Sequence, residues 1–238
     1  YISGMGGNEL KRIGQESSLY AARKGLKELT EEILLEQINI IKYGSKLENK
    51  QIRDIETSMS KTAYHEAGHA VLSYVLLPNI KIEQVTVSPR SEALGFVSYH
   101  NDEYIDATTK EELFNDVCVL LAGRIAEMQK YGKKGMETGA VNDLEIATTQ
   151  IYAAIALFGM DEKLGYVNVA GLETASGKPI LSEKIEERIL VWIDKATKNT
   201  QKEVKRLWKA IDAVALALIE KEMIDGEELK NIIEKNIL

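Results

Sequence analysis

Apolar residues recur along the chain at two spacings, and the switches between them mark out most of the elements. Leu10, Ile13, Leu19 and Ala22 fall at helical spacing between residues 8 and 22, behind the glycine-rich Gly4, Gly6 and Gly7. Thr30, followed by Glu31 and Glu32, supplies an N-cap and an acidic first turn for a second helix through Ile33, Leu34, Ile38 and Ile41, with a stop at Gly44. The polar run from Ser45 to Arg53 has little to bury and reads as a linker, which places a domain boundary there. A longer helix is expected from about Asp54 to Leu77, ended by Pro78. Ile80 to Val87 and Gly95 to Tyr99, rich in Val, Ile, Phe and Tyr and separated by Ser88-Pro89-Arg90, predict a hairpin or two paired strands. Helices then return. Thr109 and Glu112 make a capping box for one running to about Tyr131, and another spans Val141 to Phe158 and stops at Gly159. One or two long helices fill Ser182 to about Lys221, and Asp225 starts a short last one. The expected fold is mainly α, of the α+β class, a helical domain with a small β element.

Composition narrows the class without changing this picture. The chain has 238 residues, 45 % hydrophobic and 28 % charged, enough to bury a core without disulfides. A net charge of -7 argues against nucleic acid as a partner, since phosphate binding needs a basic face. The single cysteine, Cys118, lies among Val117, Val119, Leu120 and Leu121 and is expected to be a buried filler, so no disulfide forms within the chain. The longest apolar runs, such as Ala213 to Ile219, fall far short of the roughly 20 residues that span a bilayer. Tyr1 opens no signal peptide, and the sequence begins as a fragment of a longer polypeptide would.

The chemistry concentrates in Tyr64-His65-Glu66-Ala67-Gly68-His69, an H-E-x-x-H motif inside the long predicted helix. Residues at i and i+4 stack on one helix face, so both imidazoles can reach one cation while Glu66 sits about 100° round, near an open coordination position. Zinc with three protein ligands brings the pKa of a bound water to about 7, and the Glu takes a proton as that water attacks a peptide carbonyl. With only three His in the chain, the motif arises by chance well under about once in a hundred such sequences. Ile55, Met59, Ala63, Ala67, Ala70, Val71 and Tyr74 form a face opposite the two histidines, and Leu72 and Leu76 extend the histidine side, so the helix is expected to lie between layers. The extended pattern with Gly at position 72 and His at position 75 is excluded, because Leu72 and Val75 stand there. His100, beside Asn101 and Asp102, fits a solvated loop residue better than a ligand. The third ligand is expected to be a downstream carboxylate, and spacing alone does not choose which.

Taken together, the motifs resemble the peptidase domain of the FtsH-type, AAA-coupled membrane proteases. The segments that carry the resemblance are Thr62 to Ala70; Val85-Thr86-Val87-Ser88-Pro89-Arg90 with Ala93-Leu94-Gly95; Leu121-Ala122-Gly123-Arg124-Ile125-Ala126-Glu127; Thr138 to Leu144; and Gly159-Met160 with Lys163-Leu164-Gly165. The resemblance implies that Asp143 is the third zinc ligand beside His65 and His69, with Glu66 as the catalytic base. Without it, Asp143 reads as an ordinary first-turn helix acid. The strand Gly95 to Tyr99 is similar to the family's edge strand, along which an unfolded protein substrate would lie by β-augmentation. Arg90 is expected to be a structural ion-pair partner, and Glu127 either a hydrogen-bonding residue behind the ligands or a surface helix acid. Ser91, Met128 and Glu137 depart from the family pattern. Residues 1–45, with Ser3 to Leu10 and Tyr20-Ala21-Ala22-Arg23, are similar to the last helical part of an AAA ATPase lid, leaving 46–238 as the metallopeptidase domain. No phosphate-binding G-x-x-x-x-G-K-[ST] loop is present, so ATP would be bound by a module absent from this chain. The family further implies a homo-hexamer at the cytoplasmic face of a membrane, attached through segments absent from this chain. The rival expectation is a metal-binding scaffold or adaptor without catalysis. A free-standing zinc peptidase is disfavoured by the lid-like N-terminal region.

Overall fold

The computed structural model describes residues 2, 5–46, 55–89, 94–100, 108–133, 136 and 138–237. The linker beyond residue 46, the side chain of Ile55, Arg90 and Ser91, Asn101 and Asp102, and Glu137 lie outside the described residues.

Helix α1 (Gly7–Lys24) ends on Gly25 in the left-handed region, where its N–H reaches back to the carbonyls of Ala21 and Ala22. It packs on α2 (Glu31–Tyr43), whose N-cap Thr30 accepts from the Ile33 N–H at 3.4 Å, as its sequence predicts. Two side-chain contacts help tie helix α2 to the rest of the molecule. Gln84 Nε2 donates to Asn39 Oδ1 at 2.8 Å in a buried setting, and the Tyr43 ring stacks on Phe96 with centroids 3.6 Å apart.

Helix α3 (Ile55–Leu76) is the spine. Ala63, Ala67, Ala70, Val71 and Leu72 are all fully buried, because α3 packs against α4 (Lys110–Tyr131) and α8 (Trp208–Lys221) and also touches the sheet. This is the sandwiched position its doubly apolar surface predicts. Small residues let α3 and α4 come close: a Cβ on Gly68 would stand 2.7 Å from the Ala122 carbonyl oxygen and 2.9 Å from Ala126 Cβ. Thr109 caps α4 through the expected reciprocal pair, Glu112 N–H to Thr109 Oγ1 at 3.2 Å and Thr109 N–H to Glu112 Oε2 at 2.8 Å.

Strands β1 (Ile82–Thr86) and β2 (Phe96–Tyr99) pair antiparallel, Val85 opposite Val97, with the register shifting between Ile82 and Gln84. A third strand, β3 (Met223–Asp225), pairs antiparallel with the other side of β1, giving the order β2-β1-β3 with β2 at one edge. Three residues after a helix carry too little pattern to announce a strand, and the sequence reading does not contain it.

Helix α5 (Val141–Ala156) follows a single 3-10 turn at Thr138–Ala140 and stops two residues earlier than expected. The short α6 (Val169–Ser176) is not foreseen; its N-cap is Asn168, which accepts from the Gly171 N–H. The long C-terminal stretch divides at Leu207 into α7 (Ser182–Arg206) and α8, and α9 (Gly226–Ile237) begins with Asp225 accepting from the Glu227 and Glu228 N–H groups. Two apolar clusters result, one joining α3, α8, α9 and the sheet, the other joining α5 and α7 on the far side of α4, with Cys118 fully buried in it. The fold is mainly α with a small β element. No described helix is long and apolar enough to cross a membrane.

Candidate metal centre

Three elements converge on one point at the mouth of a cleft of about 920 Å³. The long α3 carries His65 and His69 one turn apart, and the first turn of α5 carries Asp143 at its third position, where the unpaired N–H groups favour a carboxylate. The atoms that could ligate a metal close a small triangle: His65 Nε2 to His69 Nε2 is 3.0 Å, His65 Nε2 to Asp143 Oδ2 is 3.1 Å, and His69 Nε2 to Asp143 Oδ2 is 3.5 Å. Ligands held tetrahedrally at about 2.0–2.1 Å from zinc stand roughly 3.3–3.4 Å from one another, so the triangle already has the edge length of such a site.

The far nitrogens of both imidazoles are engaged. His65 Nδ1 donates to Glu127 Oε1 at 2.6 Å, and His69 Nδ1 donates to the Val119 carbonyl at 2.8 Å. Such partners fix the ring orientation and leave Nε2 as the nitrogen open to a metal. Both come from α4, and so does the floor of the site. A Cβ on Gly123 would lie 2.5 Å from His69 Nε2 and 2.7 Å from His65 Nε2, so only a glycine leaves room there for the rings and an ion between them. Sequence reasoning left Glu127 undecided and did not single out Gly123 for this contact; a glycine inside the helical run Val117 to Ala126 is the one local sign of it. His100 stands apart from the triangle, its Nδ1 3.1 Å from Glu83 Oε1.

Charge at the cluster follows from burial and pairing. Burial opposes a proton on His65, but its hydrogen bonds to Asp143 and Glu127 outweigh that and raise its pKa to about 10. Burial likewise opposes ionisation of Asp143, yet His65 and His69 hold its carboxyl well below the usual range. The group is an anion and a cation in contact, a donor set of two imidazoles and one carboxylate that suits zinc. Glu66 is 7 % exposed, and burial pushes its carboxyl up, against the pull of His65 and His69. It lines the same cleft as the triangle. The chain entering β2 runs directly over it: a Cβ on Gly95 would meet Glu66 Cγ at 2.9 Å and Thr62 Cγ2 at 2.6 Å. Val97 and Tyr99 continue the cleft wall along the strand. Metal triangle, buried carboxyl and edge strand therefore share one groove.

Comparison with known proteins bears on the same stretch of chain. The family model described as Peptidase family M41 matches residues 54–232. The ATP-dependent zinc metalloprotease FTSH 10, mitochondrial, of Arabidopsis thaliana is 32 % identical over 97 % of this chain and 28 % of its own length. The ATP-dependent zinc metalloprotease FtsH of Aquifex aeolicus is 33 % identical over 96 % of this chain and 37 % of its own. The chain thus spans about a third of the curated relatives it matches.

Proposed function

The chain belongs to peptidase family M41, and from that premise we propose that it is the zinc metalloendopeptidase part of an ATP-dependent, membrane-anchored protease that hydrolyses unfolded protein. His65, His69 and Asp143 are the zinc ligands in this reading, and the observation that carries it is the triangle of 3.0, 3.1 and 3.5 Å that their ligating atoms form. Bound zinc supplies Lewis acidity, making water a nucleophile near neutral pH and polarising a peptide carbonyl.

The chain's own residues do the rest. Glu66, buried beside the triangle, takes a proton from the attacking water and delivers it to the leaving nitrogen; its raised pKa suits a group that must both accept and return a proton. Glu127 and the Val119 carbonyl hold the rings in their ligating orientation. Strand β2 at the sheet edge aligns an extended substrate through main-chain hydrogen bonds, which tolerate almost any sequence. Residues 1–45 are the end of the ATPase lid and 46–238 the peptidase domain, working as a homo-hexamer at the cytoplasmic face of a membrane. ATP is bound outside this chain.

Replacing Glu66 with Gln keeps size and shape and removes the base. In the full-length protein, Glu66→Gln is expected to retain zinc and to bind casein while degrading it about 10²–10⁴-fold more slowly. Metal analysis and casein degradation with ATP check this. Wild-type rates in the variant would remove Glu66 from catalysis, and no degradation by the zinc-loaded wild type would favour the scaffold reading.

A further inference from the structure

A second cleft, of about 770 Å³, opens beyond the metal groove, and apolar side chains dominate its walls: Leu76, Ile80, Leu113, Phe158 and Met160. Asp116 lines both clefts, so the two adjoin at that residue. We propose that this cleft is a specificity subsite that takes one large apolar side chain of the substrate, about three residues before the bond that is cut. The proposal rests on the peptidase reading above.

The spacing comes from α3 and β2. His69 lies in the metal groove and Leu76 in the apolar cleft, seven helical residues apart, which at 1.5 Å each is about 10 Å. An extended chain covers that distance in about three residues at 3.3 Å each. Strand β2 points the same way. The chain enters it at Gly95, over Glu66, and leaves it where the His100 N–H donates to the Lys81 carbonyl, next to Ile80 of the apolar cleft. A chain added antiparallel to β2, the slightly stronger pairing, runs in the opposite sense and passes the apolar cleft before reaching the metal. The occupant therefore lies on the N-terminal side of the cut.

The cleft is preformed. Phe158 and Met160 flank Gly159, which adopts a left-handed conformation (φ 62°), and their N–H groups are bonded to the Ala153 and Ala154 carbonyls at 3.0 and 2.8 Å. The turn that follows is anchored by Asp161, whose side chain is fully buried. It accepts from Arg188 Nε at 3.0 Å, from Trp192 Nε1 at 2.8 Å and from the Lys163 and Leu164 N–H groups. Opposite, Gln150 Nε2 donates to Asp116 Oδ2 at 2.6 Å and fixes the joint between the clefts. Phe158 is 59 % and Ile80 40 % exposed, apolar surface that a substrate side chain would cover. Their exposure also makes them replaceable without cost to the core.

The test uses the full-length, zinc-loaded protein with ATP. Cut sites in casein, mapped by mass spectrometry, are expected to show at least fivefold enrichment of Phe, Leu or Met at the third residue before the cut. Phe158→Ser and Ile80→Ser should each reduce that enrichment to near background. In parallel, a ten-residue peptide binding the Glu66→Gln protein should bind about tenfold tighter with Phe than with Ser at its third residue, and Phe158→Ser should erase the difference. Cuts by the wild type that show no enrichment at that position, or an enrichment untouched by both substitutions, overturn the subsite. If the wild type cuts nothing but the Phe158-dependent tenfold difference in binding remains, the peptidase reading fails and the apolar subsite stands.

Discussion

At Gly123 one missing methyl leaves room for an ion at the proposed zinc site. In the middle of a helix, Gly→Ala ordinarily stabilises by about 0.5–1 kcal/mol. Here the added Cβ would stand 2.5 Å from His69 Nε2, so the rings must move and the triangle opens. Gly123→Ala is expected to keep its helical circular dichroism while losing at least tenfold in zinc affinity; full zinc retention would contradict the geometry. The proton inventory gives a second test. Metal-free His65 has its pKa raised to about 10 and is therefore protonated at neutral pH, whereas the ligand must be neutral imidazole. Asp143, held low, is already ionised and releases nothing. Zinc binding should accordingly expel close to one proton from His65, and affinity should climb about tenfold per pH unit from neutrality until pH nears 10. Calorimetry at one pH in buffers of different ionisation heat reads this directly, and a proton count near zero would mean that metal-free His65 is already neutral and its pKa is not raised.

Among the elements, those governed by local rules were legible in advance. The i, i+4 histidines, the Thr30 cap, the Thr109–Glu112 box and the Asp225 helix start all depend on residues within one turn, and each forms as its sequence predicts. Features that depend on distant partners were not. Strand β3 exists because Met223 to Asp225 find β1 across more than a hundred residues, and α6 shows only a brief apolar pattern. Asp143 has no local mark that separates it from other first-turn acids; resemblance alone pointed to it. Gly226 belongs to the same class. A Cβ there would stand 2.0 Å from the Ile82 carbonyl oxygen, so the start of α9 can lie against β1 only without a side chain. Gly226→Ala is expected to destabilise by about 1–3 kcal/mol, the usual scale of overpacking. Thermal unfolding should show a fall of several degrees, and an unchanged midpoint would mean that α9 shifts freely on the sheet.

Across the whole molecule, the triangle bridges the two apolar clusters, since α3 belongs to one and α5 to the other. A ligand that binds only the folded state stabilises it by about 2.7 kcal/mol at a hundredfold excess over Kd. Chelation of the zinc-loaded protein should therefore lower the melting midpoint by about 5–10 °C, and the same chelator should leave His69→Ala unmoved. Equal midpoints with and without metal would show that the clusters hold together unaided.

Asp143 comes from a different helix than the two histidines, and this sets when in the life of a chain the centre can exist. Drawing the carboxylate to the imidazoles across a loop of about 74 residues costs on the order of 4 kcal/mol of chain entropy, which packing of α5 on α4 must meet first. Before that, α3 is a two-histidine peptide whose third ligand is present only at the dilute effective concentration of a floating loop. On the proposed assignment, hydrolytic competence is the last thing folding confers, and an unfinished copy, surrounded by unfolded chains including its own, cannot cut them.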